Sequence, residues 1–401
     1  MARRQDRSGP GGRGASTVTR SQTGQTDLNA ILSETLEEAQ ERRNRRLIAA
    51  LPDMENIALF GAGNTGREVV KRLRRAGVEP VAFIDDTPAK QGTTIEGLRV
   101  FGRRQAAESL KPATTVLATV LNPKLTFVKA QTLLAETGLR AESFMLLSWL
   151  FPDEFSGLCN VMPPEAILRE KNSILECGAL WADAISRETF ATQIAWRMSL
   201  DFSQLPAPRL DDIYFPRDLE IKLAPDVMFV DAGAYDGDTL EQFLKHTGGH
   251  FGRAVCIEPD PENFARLEQN IKVQGIGDRV TALNCGLGAK VGTSSFNATA
   301  DMSAAFDAGG NFSMSVMRLA DVMPDGQPTY AKFDIEGAEW DALNGSAEHV
   351  TRNNPKLAVS VYHAPEDLWR LPLLMARLLP TRHIHLRAHG VDGTDVICYA
   401  M

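Results

Sequence analysis

The chain has 401 residues, 43% hydrophobic and 23% charged, which is room for two or three ordinary domains with sizeable cores. Its 43 Lys and Arg against 51 Asp and Glu give a net charge of −8, arguing against a general nucleic-acid binder. Five scattered cysteines (Cys159, Cys177, Cys256, Cys285, Cys398) with no CxxC pair exclude a disulfide framework and a cysteine-rich zinc site, and point to a reducing, cytoplasmic setting.

No apolar run reaches the roughly 20 residues of a membrane helix. The opening MARRQDRSGPGGRGAS lacks the apolar stretch of a secretory signal. Residues 1–26 are rich in Gly, Ser, Thr, Gln and Arg and predict a disordered, solvated tail carrying Arg3, Arg4, Arg7, Arg13 and Arg20. Asp27 is placed to cap a helix running to Leu51, with Leu28, Ile31, Leu32 and Leu36 on one apolar side and Pro52 as its stop. The run ERRNRR (41–46) reads as a solvated face, or else as part of an arm against a neighbouring subunit. A homo-oligomer would form through this helix or through the unit after it.

From residue 53 to 148 short apolar runs alternate with helical patterns. IALF (57–60), PVAFIDD (80–86), LRVFG (98–102), TTVLATV (114–120) and ESFMLL (142–147) are the strand candidates. Between 149 and 212 the period turns helical, with Pro164 in a first turn and Trp149, Trp181 and Trp196 as packing anchors. A second series fills 213–401. VMFVD, RAVCIE, RVTALN, TYAKFDI and KLAVSVY predict strands, and HIHLRAHG with TDVICYA an antiparallel hairpin at the end. The fold class expected is α/β, with two Rossmann-like domains.

VDAGAYDG (230–237) ends a strand in an acid and follows it with Gly233 and Gly237. Glycines let backbone approach a ligand, and the next helix offers free N–H groups to a carboxylate. Asp231 could meet an amine, and Glu258, ending the next strand, the hydroxyls of a ribose. Amine, carboxylate and ribose together describe S-adenosylmethionine.

Residues 213–401 resemble the FkbM family of S-adenosylmethionine-dependent methyltransferases. The resemblance rests on FVDAGAYDGDT, CIEPDPENFARLEQN, NCGLGAKVGTSSF, KFDIEGAE and SVYHAPEDLW, in family order and spacing. Tyr235 departs from it, because family members often carry Asn there. The resemblance implies a class I methyltransferase fold and transfer to a hydroxyl, with a sugar, a glycan or a related small metabolite as acceptor. It carries the cofactor role onto Asp231, Gly233, Gly237 and Glu258, and Tyr235, within the same loop, is a cofactor-contact candidate of its own. Asp334, Glu336, Glu339 and His363 are the candidates for a general base, or else one of the carboxylates caps a helix. Asp334 and Glu336 should matter more for turnover than for cofactor affinity. A piece starting near residue 205 is expected to fold and bind S-adenosylhomocysteine. His383, His385 and His389 lack a clear further ligand, so packing or acceptor contact is the reading there, not metal.

GAGNTG (Gly61, Gly63, Gly66) follows a strand, opens a helix and is followed by Asp85 at the end of the next strand. This stretch is similar to nucleotide-binding modules that precede sugar-modifying enzymes, with NAD, a nucleotide-sugar or acyl-CoA as ligand. A docking module without ligand is the alternative for this unit. For the whole chain, the alternative is a non-catalytic sensor with two nucleotide-binding units.

Overall fold

The computed structural model describes residues 26–155, 157–297, 305–306, 312–323 and 329–401. The arginines of the expected tail lie outside them. Thr26 is tied through its N–H and hydroxyl to Glu188, at 3.1 and 2.6 Å.

The first α/β unit holds a six-stranded sheet in the order β3-β4-β2-β1-β5-β6. Its strands are β1 (Ile57–Phe60), β2 (Ala82–Ile84), β3 (Thr94–Ile95), β4 (Leu98–Phe101), β5 (Thr115–Ala118) and β6 (Arg140–Ser143). All neighbours pair in parallel except β3 with β4. The run 142–147 departs from expectation. Its strand covers Arg140–Ser143, and the chain then turns into a 3-10 turn at Phe144–Leu146 and a helix at Leu147–Leu150. The Ser143 hydroxyl accepts the Met145 N–H and starts that turn. A wholly buried apolar run has no period to separate strand from helix.

The second sheet has seven strands, β16-β17-β15-β14-β7-β8-β9. They are β7 (Met228–Ala232), β8 (Arg253–Ile257), β9 (Val280–Leu283), β14 (Thr329–Phe333), β15 (Lys356–Ser360), β16 (Ile384–Ala388) and β17 (Val396–Ala400). β7, β8, β9, β14 and β15 are parallel, and β17 runs antiparallel between β15 and β16. The central strands are buried on both faces, as a sheet covered by helices requires. Between β9 and β14 the chain inserts a smaller sheet of β10 (Gly286–Leu287), β11 (Gly292–Asn297), β12 (Ala305–Phe306) and β13 (Phe312–Met317). The strand reading missed it. A signal was present in β13, where Met314 and Val316 are buried and Ser313 and Ser315 exposed.

The N-terminal helix is two helices, Leu28–Ile31 and Leu36–Ala50. Asp27 caps the first as expected. Thr35 caps the second in a reciprocal box with Glu38, and Leu36 points outward. The arginine run is not a free solvated face. Arg42 reaches Glu34 and the Met198 carbonyl, Arg43 the Trp149 carbonyl and Glu165, and Arg46 Glu142.

The segment between the sheets forms helices Pro164–Arg169, Lys171–Gly178 and Ala184–Ser199, with Trp149, Trp181 and Trp196 buried. It shares a core with the second sheet. Trp181, Phe190 and Ile194 lie in one cluster with Ile384 and Leu386. Arg387 joins Asp183 and Asp218, and Ser186 accepts the Leu386 N–H. A turn between β16 and β17 also meets the first unit, where the Phe127 N–H donates to Asp392 at 2.8 Å.

Candidate active site

The sequence order of the strands reverses across β7, with β8 on one side and β14 on the other. A crevice at the carboxyl ends of such strands is where α/β sheets bind ligands. After β7 the chain makes a tight loop with Gly233, Tyr235 and Gly237 all at positive φ. The amides of Gly233 and Ala234 both donate to Ile257 O at 2.9 Å. Gly237 caps the helix Asp238–Thr247 without a side-chain bond, and the Asp238 carboxylate accepts the Thr239 N–H at 2.7 Å. Arg266 stacks over the Tyr235 ring at 5.2 Å.

Glu258 follows β8 and holds the loop. Its Oε2 accepts the Tyr235 N–H and its Oε1 the Asp260 N–H, both at 2.8 Å. Burial pushes its pKa up to about 7 even though those amides favour the charged form.

Asp231 has a cationic partner within the chain itself. It is fully buried, and its cation is Lys332 of β14, at 3.2 Å. Burial pushes Asp231 up to about 6, with Lys332 opposing. Burial also acts to lower Lys332, but Asp231 and Asp334 outweigh it and hold the ammonium charged. The ammonium donates to Gly233 O, so the pair clamps the loop from below. Gly233 also has a reason other than ligand approach. A Cβ there would lie 1.8 Å from the Asp334 carbonyl oxygen. Lys332 was overlooked in KFDIEGAE, although a lone lysine in a buried strand demands a buried counter-charge.

The candidate catalytic residues come together. Asp334, just after β14, accepts hydrogen bonds from the Tyr214 and Ser360 hydroxyls, both at 2.8 Å. His363, after β15, places Nδ1 2.9 Å from Glu339 Oε1. Its Nε2 lies 3.3 Å from Asp334 and 3.6 Å from Glu336, buried and without a hydrogen-bond partner. Glu339 is also a helix-end anchor, accepting the Ile335 and Gly337 amides. Those amides lie in the turn before the helix Glu339–Gly345, so Glu339 braces that turn and does not cap the helix.

Charge is crowded here. Burial works against the ionised form of Asp334, but Lys332, His363 and the two hydroxyls pull its pKa below the usual carboxylate value. Burial likewise disfavours a charged His363, yet Glu339 and Glu336 raise its pKa well above that of free imidazole. Glu336, at φ +53°, rises to about 8 through burial, with His363 opposing and Asp334 adding to the rise.

Tyr214, Ser360, Tyr362 and Asp395 were not singled out in the sequence. The Tyr362 hydroxyl is 3.4 Å from Asp334, and burial with the nearby Asp334 charge pushes Asp395 up to about 6. Tyr214 lies near the start of 213–401, ahead of β7 and outside every motif.

Among the described residues, Asp334, Glu339 and His363 are spaced closely enough to hold a metal ion. Glu339 already serves two amides and His363 Nδ1. Of the three late histidines His389 is buried, His385 half-buried and His383 exposed. His385 meets Asp183 at 2.6 Å, His389 meets Tyr399 and the Arg209 carbonyl, and His383 pairs through its backbone with Met401.

At the first glycine loop, Gly61 has φ +110°, and a Cβ on Gly66 would lie 2.0 Å from the Gly61 carbonyl oxygen. Gly63 caps the helix Asn64–Arg75 without a side-chain bond. Asp85 is buried and engaged. Its Oδ2 accepts the Ala62 N–H and the Lys90 ammonium, and its Oδ1 the Thr87 N–H. It has the place of a ribose acceptor but already carries its own cation.

Residues 231–389 match the family model of the methyltransferase FkbM domain. No curated protein matches the chain. Among solved structures, methyltransferase FkbM from Methylobacillus flagellatus KT is similar at 22% identity and TM-score 0.71, over 94% of this chain and 100% of that one. UDP-D-quinovosamine 4-dehydrogenase from Vibrio fischeri matches 23% of this chain and 80% of its own at 24% identity and TM-score 0.19. Precorrin-6y C5,15-methyltransferase from Geobacter metallireducens GS-15 matches 44% of this chain and 80% of its own at 11% identity and TM-score 0.28. At those scores the last two bear on neither fold nor function. Nothing among these comparisons supports NAD or a nucleotide-sugar in the first unit.

Proposed function

Since residues 231–389 carry an FkbM methyltransferase domain, we propose that the chain transfers a methyl group from S-adenosylmethionine to a hydroxyl oxygen of a sugar, a glycan or a related small metabolite. The observation that carries this reading is His363. One ring nitrogen is held by Glu339, and the other is buried and unpartnered between Asp334 and Glu336.

A hydroxyl is a poor nucleophile until its proton leaves, and His363 Nε2 is the group that receives it. Glu339 fixes the ring and stabilises the imidazolium that forms. Asp334, kept ionised by Lys332 and anchored by Tyr214 and Ser360, orients the acceptor hydroxyl. The carboxylates around His363 hold its proton tightly in the protein alone. A bound sulfonium would oppose that rise in pKa through its positive charge.

The residues present fit the cofactor. The glycine loop at the amino end of helix Asp238–Thr247, where Asp238 holds only the Thr239 N–H, suits its carboxylate, and Glu258 beside the loop suits its ribose. Asp231, paired with Lys332 beneath the loop, is the acid nearest the glycines for the amine. When bound, S-adenosylmethionine supplies an electrophilic methyl on a sulfonium.

Calorimetry with S-adenosylhomocysteine and NAD, followed by labelled methyl transfer to a panel of hydroxylated sugars, tests the reading. S-adenosylhomocysteine binds and NAD does not. His363→Gln lowers kcat by roughly 10²–10⁴-fold with cofactor affinity unchanged, and Asp334→Asn behaves likewise. Binding of NAD alone, or equal losses in affinity and turnover, would overturn it.

A further inference from the structure

At the end of the large sheet opposite the glycine loop, the chain before β7 and the starts of β14 and β15 border a cavity of about 470 Å³. Lys222, Lys356 and Arg382 line it together with Arg352, and Leu223 and Val227 add an apolar wall. The Lys356 ammonium donates to the Lys222 carbonyl, and Arg382 Nη2 to the Asn354 carbonyl. These heads are thus fixed by neutral groups. Among the described residues no carboxylate is paired with Lys222, Lys356 or Arg382. Arg382 Nε is buried with no hydrogen-bond partner. Burial, with the charges of Arg382 and Lys222, pushes the Lys356 pKa down, and burial does the same to Arg382.

Such a cluster is unusual in a chain of net charge −8. Like charges held together in a recess repel, and an anion entering it relieves that repulsion. A guanidinium edge beside the fixed Lys356 ammonium and the exposed Lys222 matches an oxyanion carrying more than one charge. The cavity is far larger than one phosphate group, and its size falls in the range of about 300–1,000 Å³ for small-molecule sites.

We propose that this cavity binds a small phosphate-bearing molecule, its phosphate between Lys222, Lys356 and Arg382 and its remainder against Leu223 and Val227. A five-residue strand spans roughly 16 Å, so this site is distinct from the crevice that holds Asp334 and His363.

The test uses the full chain, with inorganic phosphate, pyrophosphate and ribose 5-phosphate as probes. Calorimetry shows binding, and Tm rises by roughly 5–10 °C when a probe is at a hundredfold excess over its Kd. Sodium chloride at equal ionic strength gives no such rise. The double variant Lys356→Gln/Arg382→Gln loses affinity at least tenfold while keeping the wild-type circular dichroism spectrum. If that variant fails to fold, Lys222→Gln, at an exposed position, decides by weakening binding several-fold. No binding of any probe, a Tm rise reproduced by sodium chloride, or wild-type affinity in the folded variants overturns the proposal.

Discussion

Glu258 is the residue whose expected and observed roles differ most usefully. Its place after β8 was legible from the acid that ends RAVCIE. Its two bonds to the loop amides were not, because they depend on how residues 233–237 fold back over β8. With its pKa up at about 7, Glu258 is protonated in the fold at pH values where an unfolded chain has lost the proton. Its contribution to stability is therefore full below the ordinary carboxylate range and is lost as pH rises through about 7. Hydrogen bonding to a ribose follows the opposite trend, since the ionised form is the better acceptor. S-adenosylhomocysteine should bind more tightly at pH 8 than at pH 6, and Glu258→Gln should flatten that dependence. Calorimetry at the two pH values checks it, and an equal slope in the variant would rule Glu258 out as the titrating group.

At the scale of elements, alternation and turn chemistry were read where a period existed. The central strands of both sheets fall within the expected runs, and the terminal hairpin closes the large sheet as expected. Reading failed where apolar residues carried no period, as at 142–147, and where a break was local and polar. The sequence TLEE at 35–38 is a capping-box pattern, and it divides what looked like one helix. Thr35→Ala should cost about 1 kcal/mol of stability. That corresponds to a fall of about 2–4 °C in Tm for a unit of this size. A melting curve that does not move would mean that Arg42 and Arg46, through Glu34 and Glu142, hold the helix without its cap.

For the whole molecule, the motifs of 213–401 suggested a separable unit, and packing argues otherwise. A piece starting at residue 205 keeps every motif but removes Trp181, Phe190 and Ile194 from Ile384 and Leu386. It also takes Asp183 and Ser186 away from Arg387. Motifs report chemistry, whereas the connector's contribution lies in apolar side chains of a kind common to all amphipathic helices. The piece 205–401 should give no cooperative melting transition, and a piece from residue 157, which retains helix Ala184–Ser199, should give one. Calorimetric scans of the two pieces decide between a separable unit and a shared core. A sharp transition for 205–401 would restore the former.

The bond from the Phe127 amide to Asp392 ties a helix of the first unit to the turn that leads to Asp395. The Asn160 amide reaches Gly393 O in the same turn, and a Cβ on Gly393 would lie 2.4 Å from Trp196. The Phe127 proton is therefore shielded from solvent by a structure that belongs to the other sheet. In hydrogen–deuterium exchange, its protection records how often the turn opens. A ligand that steadies Asp395 from within the crevice should slow the exchange of this one amide, while the interior amides of its own helix keep their rates. The first unit thereby carries a built-in reporter of events at a site it does not line.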